Sequence, residues 1–585
     1  MIDRLELLYG PERAAQVYPE VERILQVHYA HKPLELIEQE KQFRPEDRFT
    51  EKDVVAITYG DLIQSPNKPP LDTLASVVDA YLRGTVNTLH ILPFFPHSSD
   101  RGFSIVHYRE VDPQLGNWQD IEDLSGRFQL MFDGVINHVS AKSEWFQEFL
   151  NGNPYYQDFF ITFDTEDAIA EADLRQILRP RTTKLLTRFR TLRGDKYVWT
   201  TFSADQIDLN YANERVLLEV LQVLLFYVRR GADILRLDAA TYLWHRLGTS
   251  CAHLAETHAL VQFFRAAINV AAPRVALVTE TNVPHRDNVS YFGDGSNEAH
   301  MVYNFALPPL VLRAMRTGNC SRLTEWASQL QTPSPTTTFF NFLDSHDGIG
   351  LLGARAYLSD MDIEDMVRRT LAHRGKVSYR TAPDGTLSPY ELNITWFDAL
   401  NRPGSDEPVE LQVARFVASR SIALALAGVP GIYLPSFGGS RFESEELPPD
   451  AEPRSINRRT IQETDFLRAL NERGSVANLI ARRMMRLIRR RIHAPAFHPN
   501  GEQTVLNNST KVFAVRRRAP DGGQVVIALT NVTAETQKYR LNPEDLLLCM
   551  NSWQDLLTGR RFPCHAEGGE ITLKPYQVMW ITPAD

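Results

Sequence analysis

The chain is poor in cysteine, has no long apolar run and carries no excess of positive charge, and each shortage removes a class of protein. Its four cysteines, Cys251, Cys320, Cys549 and Cys564, are too sparse for a disulfide scaffold and have no metal-site spacing. No uninterrupted apolar stretch reaches the ~20 residues of a membrane-spanning helix. The opening, MIDRLELLYGPERA, is too charged for a signal peptide. A formal charge of -9 at pH 7 argues against nucleic acid as a partner, because a phosphate backbone requires a basic footprint. His245, His253 and His258 do not stand at a zinc spacing with a carboxylate, so no metal is expected. There is no repeat of about 20–50 residues and no low-complexity segment. What remains is a protein expected in the cytoplasm, as a monomer or homodimer, with neither membrane nor nucleic-acid contacts. Its 585 residues suffice for a large catalytic domain with smaller ones attached.

Short apolar runs alternate with amphipathic stretches. Strands are predicted at 54–61, 88–95, 130–135, 232–237, 275–279, 301–305, 337–343 and 428–434, with helices at 71–82, 214–229 and 255–271 between them. Strands separated by helices make a parallel sheet, and eight with no switch point favour a closed (β/α)8 TIM barrel with its chemistry at the C-terminal strand ends. Two connections are too long to be plain loops. The expected division is therefore a helical extension at 1–48, a barrel made of 49–139, 208–350 and 416–467, and insertions after strands three and seven at 140–207 and 351–415. A linking helix and an all-β domain follow at 468–585. The linking helix is read as one strongly basic element over 465–492, with Met484, Met485, Leu487 and Ile488 inward and its arginines paired to acids.

The stretch GADILRLDAATY carries the first chemistry. Alternation along a strand puts Arg236 and Asp238 on one face, so a guanidinium stands beside a carboxylate and should keep it ionised as a nucleophile. Alone, the stretch is equally compatible with a structural ion pair. Other acids fall at other strand ends: Glu280 in LVTETNVPH, Asp347 in FLDSHDGIG, and Asp133 beside Asn137 and His138 in MFDGVINHVS. Acids converging on one rim push at least one pKa upward, which is what a general acid requires.

DGVINH, GADILRLDAATY, VTETNV and FLDSHDG resemble the four signature regions of the α-amylase superfamily, glycoside hydrolase family 13. LHILPFFPHSSDRGFS, LGTSCAHL, YNFALPPL, SPYELN and INRR are similar to its sucrose phosphorylase branch, and the full-length layout most resembles the glucosylglycerate phosphorylases there. The resemblance implies Asp238 as nucleophile, Glu280 as general acid and then base, and Asp347 as stabiliser of the oxocarbenium-like transition state, in the retaining scheme of paired carboxyls. It implies that Arg236 orients Asp238, that Asp100, His138, His346 and Arg458 hold glucose hydroxyls, and that Phe103 forms an aromatic wall. The implied reaction moves a glucosyl unit from a small glucoside, glucosylglycerate or sucrose, to inorganic phosphate, giving α-glucose 1-phosphate without any cofactor. A hydrolase or transglucosidase on the same fold is the alternative.

Phosphorolysis needs an anion site. Arg175, Arg179, Arg181, Lys184, Arg188, Arg190, Arg193 and Lys196 crowd one stretch of the first insertion, with Asp195 the only acid. Most should face water. Arg181 and then Arg179 are expected at phosphate, because RPR aligns with an element of sucrose phosphorylases. Tyr390, Glu391 and Asn393 match a mobile loop shaping the acceptor site, with Tyr390 also at phosphate. Sucrose phosphorylases of the best-known type have Gln where Glu391 stands, which argues against sucrose.

Overall fold

Strands buried on both faces belong in a parallel sheet covered by helices, and the runs predicted as strands are buried along nearly their whole length. In the computed structural model, which describes every residue except 382–384, 442–450, 543–544, 546–551, 564–568 and 585, eight of them form a closed parallel barrel. They are β1 Val55–Thr58, β2 Thr88–Ile91, β3 Gln129–Val135, β4 Ala232–Asp238, β5 Ala276–Thr279, β6 Met301–Tyr303, β7 Thr338–Asn341 and β8 Val429–Tyr433. Each pairs in parallel with the next, and β8 closes on β1 with Gly431 beside Val55. The predicted barrel is therefore borne out, with spatial order equal to chain order.

The helix Glu214–Arg229 shows how the outer layer forms. Asn213 caps it by accepting from the Arg215 N–H, and Val216, Leu217, Val220, Leu221 and Leu224 recur at helical spacing on its buried face. Between β3 and β4 the chain makes the pair His138–Ser140 with Gln206–Asp208 and a small sheet of Thr162–Phe163, Gly194–Trp199 and Leu186–Thr191. Between β7 and β8 it makes a sheet of Ile349–Gly350, Leu387–Asn393 and Lys376–Thr381. Helices Ile2–Tyr9 and Pro11–Ala30 pack outside the barrel, where Tyr9 donates to the Tyr211 carbonyl at 3.0 Å and Arg13 pairs with Glu214. A six-stranded antiparallel sheet occupies the C-terminal region. Among the described residues no helix is long and apolar enough to cross a membrane. Cys549 and Cys564 lie outside the described residues; Cys251 and Cys320 are buried and free.

The single basic helix over 465–492 is corrected to two, Glu463–Asn471 and Val476–Arg491. Gly474, at φ 91°, turns the chain between them, and the Ser475 side chain accepts from the Asn478 N–H to start the second. Met484, Leu487 and Ile488 are buried as expected. Arg483 pairs with Glu410, but Arg491 does not meet an acid. Fully buried, it donates to the carbonyls of Leu424 at 3.0 Å, Glu51 at 2.6 Å and Gly428 at 3.0 Å, tying together the chain ahead of β1 and β8. Burial pushes its pKa down to about 10, so it remains a cation at neutral pH. Arg491→Leu would leave those carbonyls without a donor, and a loss of about 3 kcal/mol or more is expected, read as a lower urea midpoint.

Candidate active site

β3 and β4 are in register with Arg236 beside Asp133, which sets an arginine among acids inside the barrel. Arg236 Nη1 pairs with Asp133 and donates to Asp238 Oδ1 at 2.8 Å, as the period-2 spacing requires. His90 Nε2 lies 2.7 Å from the other Asp133 oxygen. Asp238 is the last residue of β4 and reaches the rim. Burial pushes the Asp238 pKa up, Arg236 opposes this, and Asp133 adds to the rise.

Glu280 follows β5, and its Oε2 accepts from the Ala239 N–H at 3.3 Å. Ala239 adopts φ 52°, a left-handed conformation that costs an L-residue about 1–2 kcal/mol. Strain of this kind, also present at Asp100 and Arg101 (both φ 51°), gathers where surrounding structure dictates a site's geometry. Burial raises the Glu280 pKa to about 8; Arg236 opposes the rise, while Asp238 and Asp347 reinforce it. Asp347 behaves oppositely. Burial disfavours its charge, but Arg454 at 2.8 Å and Arg458 at 3.4 Å hold its carboxyl well below the usual range. One rim thus carries a protonated acid and an ionised one.

The connection after β2 supplies the next wall. Asp100 pairs with Arg458 at 2.6 Å and accepts from Gln206 at 3.1 Å. Phe103 stacks on His346, with ring centroids 4.8 Å apart and planes 6° from parallel. Burial drops the His346 pKa to about 3, so its ring is neutral, and its Nδ1 has no partner among the described residues. His138 Nε2 stands 2.9 Å from the Phe103 carbonyl oxygen. Asp205, to which the sequence pointed no one, ties this wall down: its Oδ2 accepts from Ser98 and Ser99 at 2.5 Å and from Ser104 at 2.9 Å.

One cleft brings Asp238, Glu280 and Asp347 together with Asp100, Phe103, His138 and His346, and Arg181 and Tyr390 also line it. Arg236 and Arg458 stand behind that lining, bonded to its acids. Arg179 does not reach the cleft. It donates to the carbonyls of Thr183, Lys184, Thr200 and Thr201, fastening the insertion to itself. Glu391 and Asn393 do not line it either; Glu391 is bound to Arg454, and Asn393 donates to Ser378 Oγ at 2.9 Å. In the basic stretch Arg175, Lys184, Arg188 and Lys196 have acidic partners, and Arg190 and Arg193 are exposed. Sequence reasoning gave no role to Gln206, Phe202, Tyr242 or Arg454, all of which line the cleft. Tyr242 ends the quoted stretch GADILRLDAATY. Arg454 lies two residues before INRR and carries no local signal. Among the described residues no group of three or more His, Cys, Asp or Glu side chains could hold a metal ion.

A parallel barrel with an acid, a carboxylate and a charge-stabilised third carboxyl at the C-terminal rim can exchange substituents at a sugar's anomeric carbon. Residues 78–356 match the sequence family described as alpha amylase, catalytic domain. A glucosylglycerate phosphorylase of Allomeiothermus silvanus is 44% identical over 99% of this chain and 98% of its own length. Another, from Escherichia coli K12, is 41% identical over 92% of this chain and 93% of its own. The crystal structure of a sucrose 6F-phosphate phosphorylase from Thermoanaerobacter thermosaccharolyticum superposes with a TM-score of 0.71 at 25% identity, covering 82% of this chain and 94% of that one. The chain belongs to the α-amylase family. Within that family it stands among the glucoside phosphorylases, which are hexosyltransferases.

Proposed function

We propose that the cleft performs a double displacement on a small α-glucoside, with glucosylglycerate as the substrate. Asp238 attacks the anomeric carbon while Glu280 gives its proton to the departing oxygen, so the acceptor leaves as a neutral hydroxyl and the sugar is held as an ester of Asp238. Phosphate then attacks the same carbon from the face the acceptor left. The Glu280 carboxylate takes the proton of the attacking phosphate oxygen, and the ester bond to Asp238 breaks to release α-glucose 1-phosphate. Asp347, kept ionised by its arginines, faces the positive charge that develops on the ring. Arg236 positions Asp238. Asp100, His138, His346 and Arg458 hold ring hydroxyls directly or through one another, and Phe103 with His346 makes a flat wall. Arg181, over the Phe202 ring at 5.6 Å and without a carboxylate partner among the described residues, is the cation for phosphate, with Tyr390 on the lining of the same cleft.

The observation that carries the chemistry is the convergence of Asp238, Glu280 and Asp347 on one cleft at the barrel rim, with burial raising the Glu280 pKa and arginines lowering that of Asp347. What supports glucosylglycerate is the name of the relatives that match along nearly the whole chain. Incubation of the purified protein with α-glucose 1-phosphate and glycerate, fructose, fructose 6-phosphate or glycerol tests both points. Phosphate release in step with a glucosylglycerate product is expected. Free glucose as the main product would instead mean a hydrolase, and preference for another acceptor would overturn the substrate.

A further inference from the structure

Two cationic side chains line the cleft, Arg181 and Arg454. They are held differently. Arg181 Nη1 donates to its neighbouring Pro180 carbonyl at 3.1 Å and has no fixed acidic partner among the described residues. Arg454 is clamped: its Nε donates to Glu391 Oε2 at 3.0 Å and its Nη2 to Glu391 Oε1 at 2.5 Å, while Nη1 lies 2.8 Å from Asp347 Oδ1. Glu391 itself is 2% exposed and sits behind the cleft wall. A guanidinium has five N–H groups in a rigid fork. Glu391 takes the edge formed by Nε and Nη2, and Asp347 forms an ion pair with Nη1, so the second N–H of Nη2 makes no hydrogen bond among the described residues.

A planar carboxylate is recognised by a planar fork fixed in orientation, whereas phosphate accepts hydrogen bonds from many directions. We propose that Arg454, aimed by Glu391, binds the carboxylate of an acidic acceptor, so that an α-hydroxy acid is preferred over an uncharged polyol of the same size. This rests on the acceptor reading given above and extends it to a residue. It also accounts for Glu rather than Gln at 391. A carboxylate offers two acceptors to Nε and Nη2, whereas an amide would turn an NH2 group toward one of these donors and release the clamp. The carboxylate of Glu391 therefore acts as the anchor of the group that selects an acidic acceptor.

In a double displacement, kcat/KM for the acceptor reports its attack on the glucosyl-enzyme and is free of the donor step. With α-glucose 1-phosphate as donor, the ratio of kcat/KM for glycerate to that for glycerol therefore isolates the carboxylate. Arg454→Gln is expected to lower this ratio about 10- to 100-fold, the range for losing a charge-assisted hydrogen bond. Glu391→Gln, nearly isosteric and the variant that decides the matter if Arg454→Gln does not fold, is expected to lower it by a smaller factor. An unchanged ratio in Arg454→Gln, with both acceptors slowed alike, would make Arg454 a support of Asp347 only and overturn the proposal. A ratio that rises in Glu391→Gln would show that removing negative charge matters more than aiming the fork, and would overturn it too. A wild-type enzyme that prefers glycerol sinks the acceptor reading itself, and the inference falls with it; a wild-type preference for glycerate with no change in either variant sinks the inference alone.

Discussion

Asp238→Asn is expected to lower kcat by about 10⁴-fold or more, equivalent to ~5.5 kcal/mol of lost transition-state stabilisation. An amide in the same position keeps the shape of the side chain but cannot form the ester at the anomeric carbon. Arg236 would still be held by Asp133, so the barrel interior keeps one of its ion pairs and the fold should survive. Circular dichroism and an unchanged thermal midpoint would separate chemistry from folding. Turnover within about tenfold of wild type would mean that another group bonds to the sugar. Because the substitution removes the covalent step common to both directions, glucoside breakdown and glucoside synthesis should fall together.

Glu280→Gln is expected to cost about 10²- to 10⁴-fold in kcat with a glucoside whose leaving oxygen must be protonated, the range for one general acid. With α-glucosyl fluoride as donor, which leaves without a proton, the loss should be much smaller for formation of the ester. The pH dependence follows from the direction of the shift. The Glu280 pKa is raised to about 8, so the acid form exists below that value and is lost as pH rises through it. Phosphorolysis by the wild-type enzyme should therefore decline on the alkaline side with a midpoint near pH 8, and the Gln variant should lack that limb. A limb that persists unchanged in the variant would assign the titration to another group.

The barrel was legible because a strand buried on both faces has to be apolar nearly throughout, and each of the eight is short and bounded by polar residues. Asp238 and Glu280 were legible for the same reason, since each closes an apolar run, whereas Asp347 follows its run at a distance and was legible from the FLDSHDG resemblance. The helix over 465–492 was misread because its amphipathic pattern continues across a Gly-Ser pair, and the positive φ of Gly474 outweighs the pattern. SPYELN shows a different failure. Successive side chains on a strand point to opposite faces, so with Tyr390 in the cleft Glu391 and Asn393 fall on the other side, as found. The alternation that paired Arg236 with Asp238 applies there equally. Arg179 and Arg181 also diverge across one proline, one to backbone carbonyls and one to the cleft. Arg454 stayed hidden because its meaning lies in Asp347 and Glu391, both more than 60 residues earlier in the chain.

A fluorinated glucosyl donor that forms the ester quickly and releases it slowly, followed by digestion and mass spectrometry, tests the central claim most directly. The account predicts one added fluoroglucosyl mass per chain, on the peptide that contains GADILRLDAATY, with fragmentation placing it on Asp238. A label on any other residue, or a chain that turns over the donor without ever carrying the label, would contradict it.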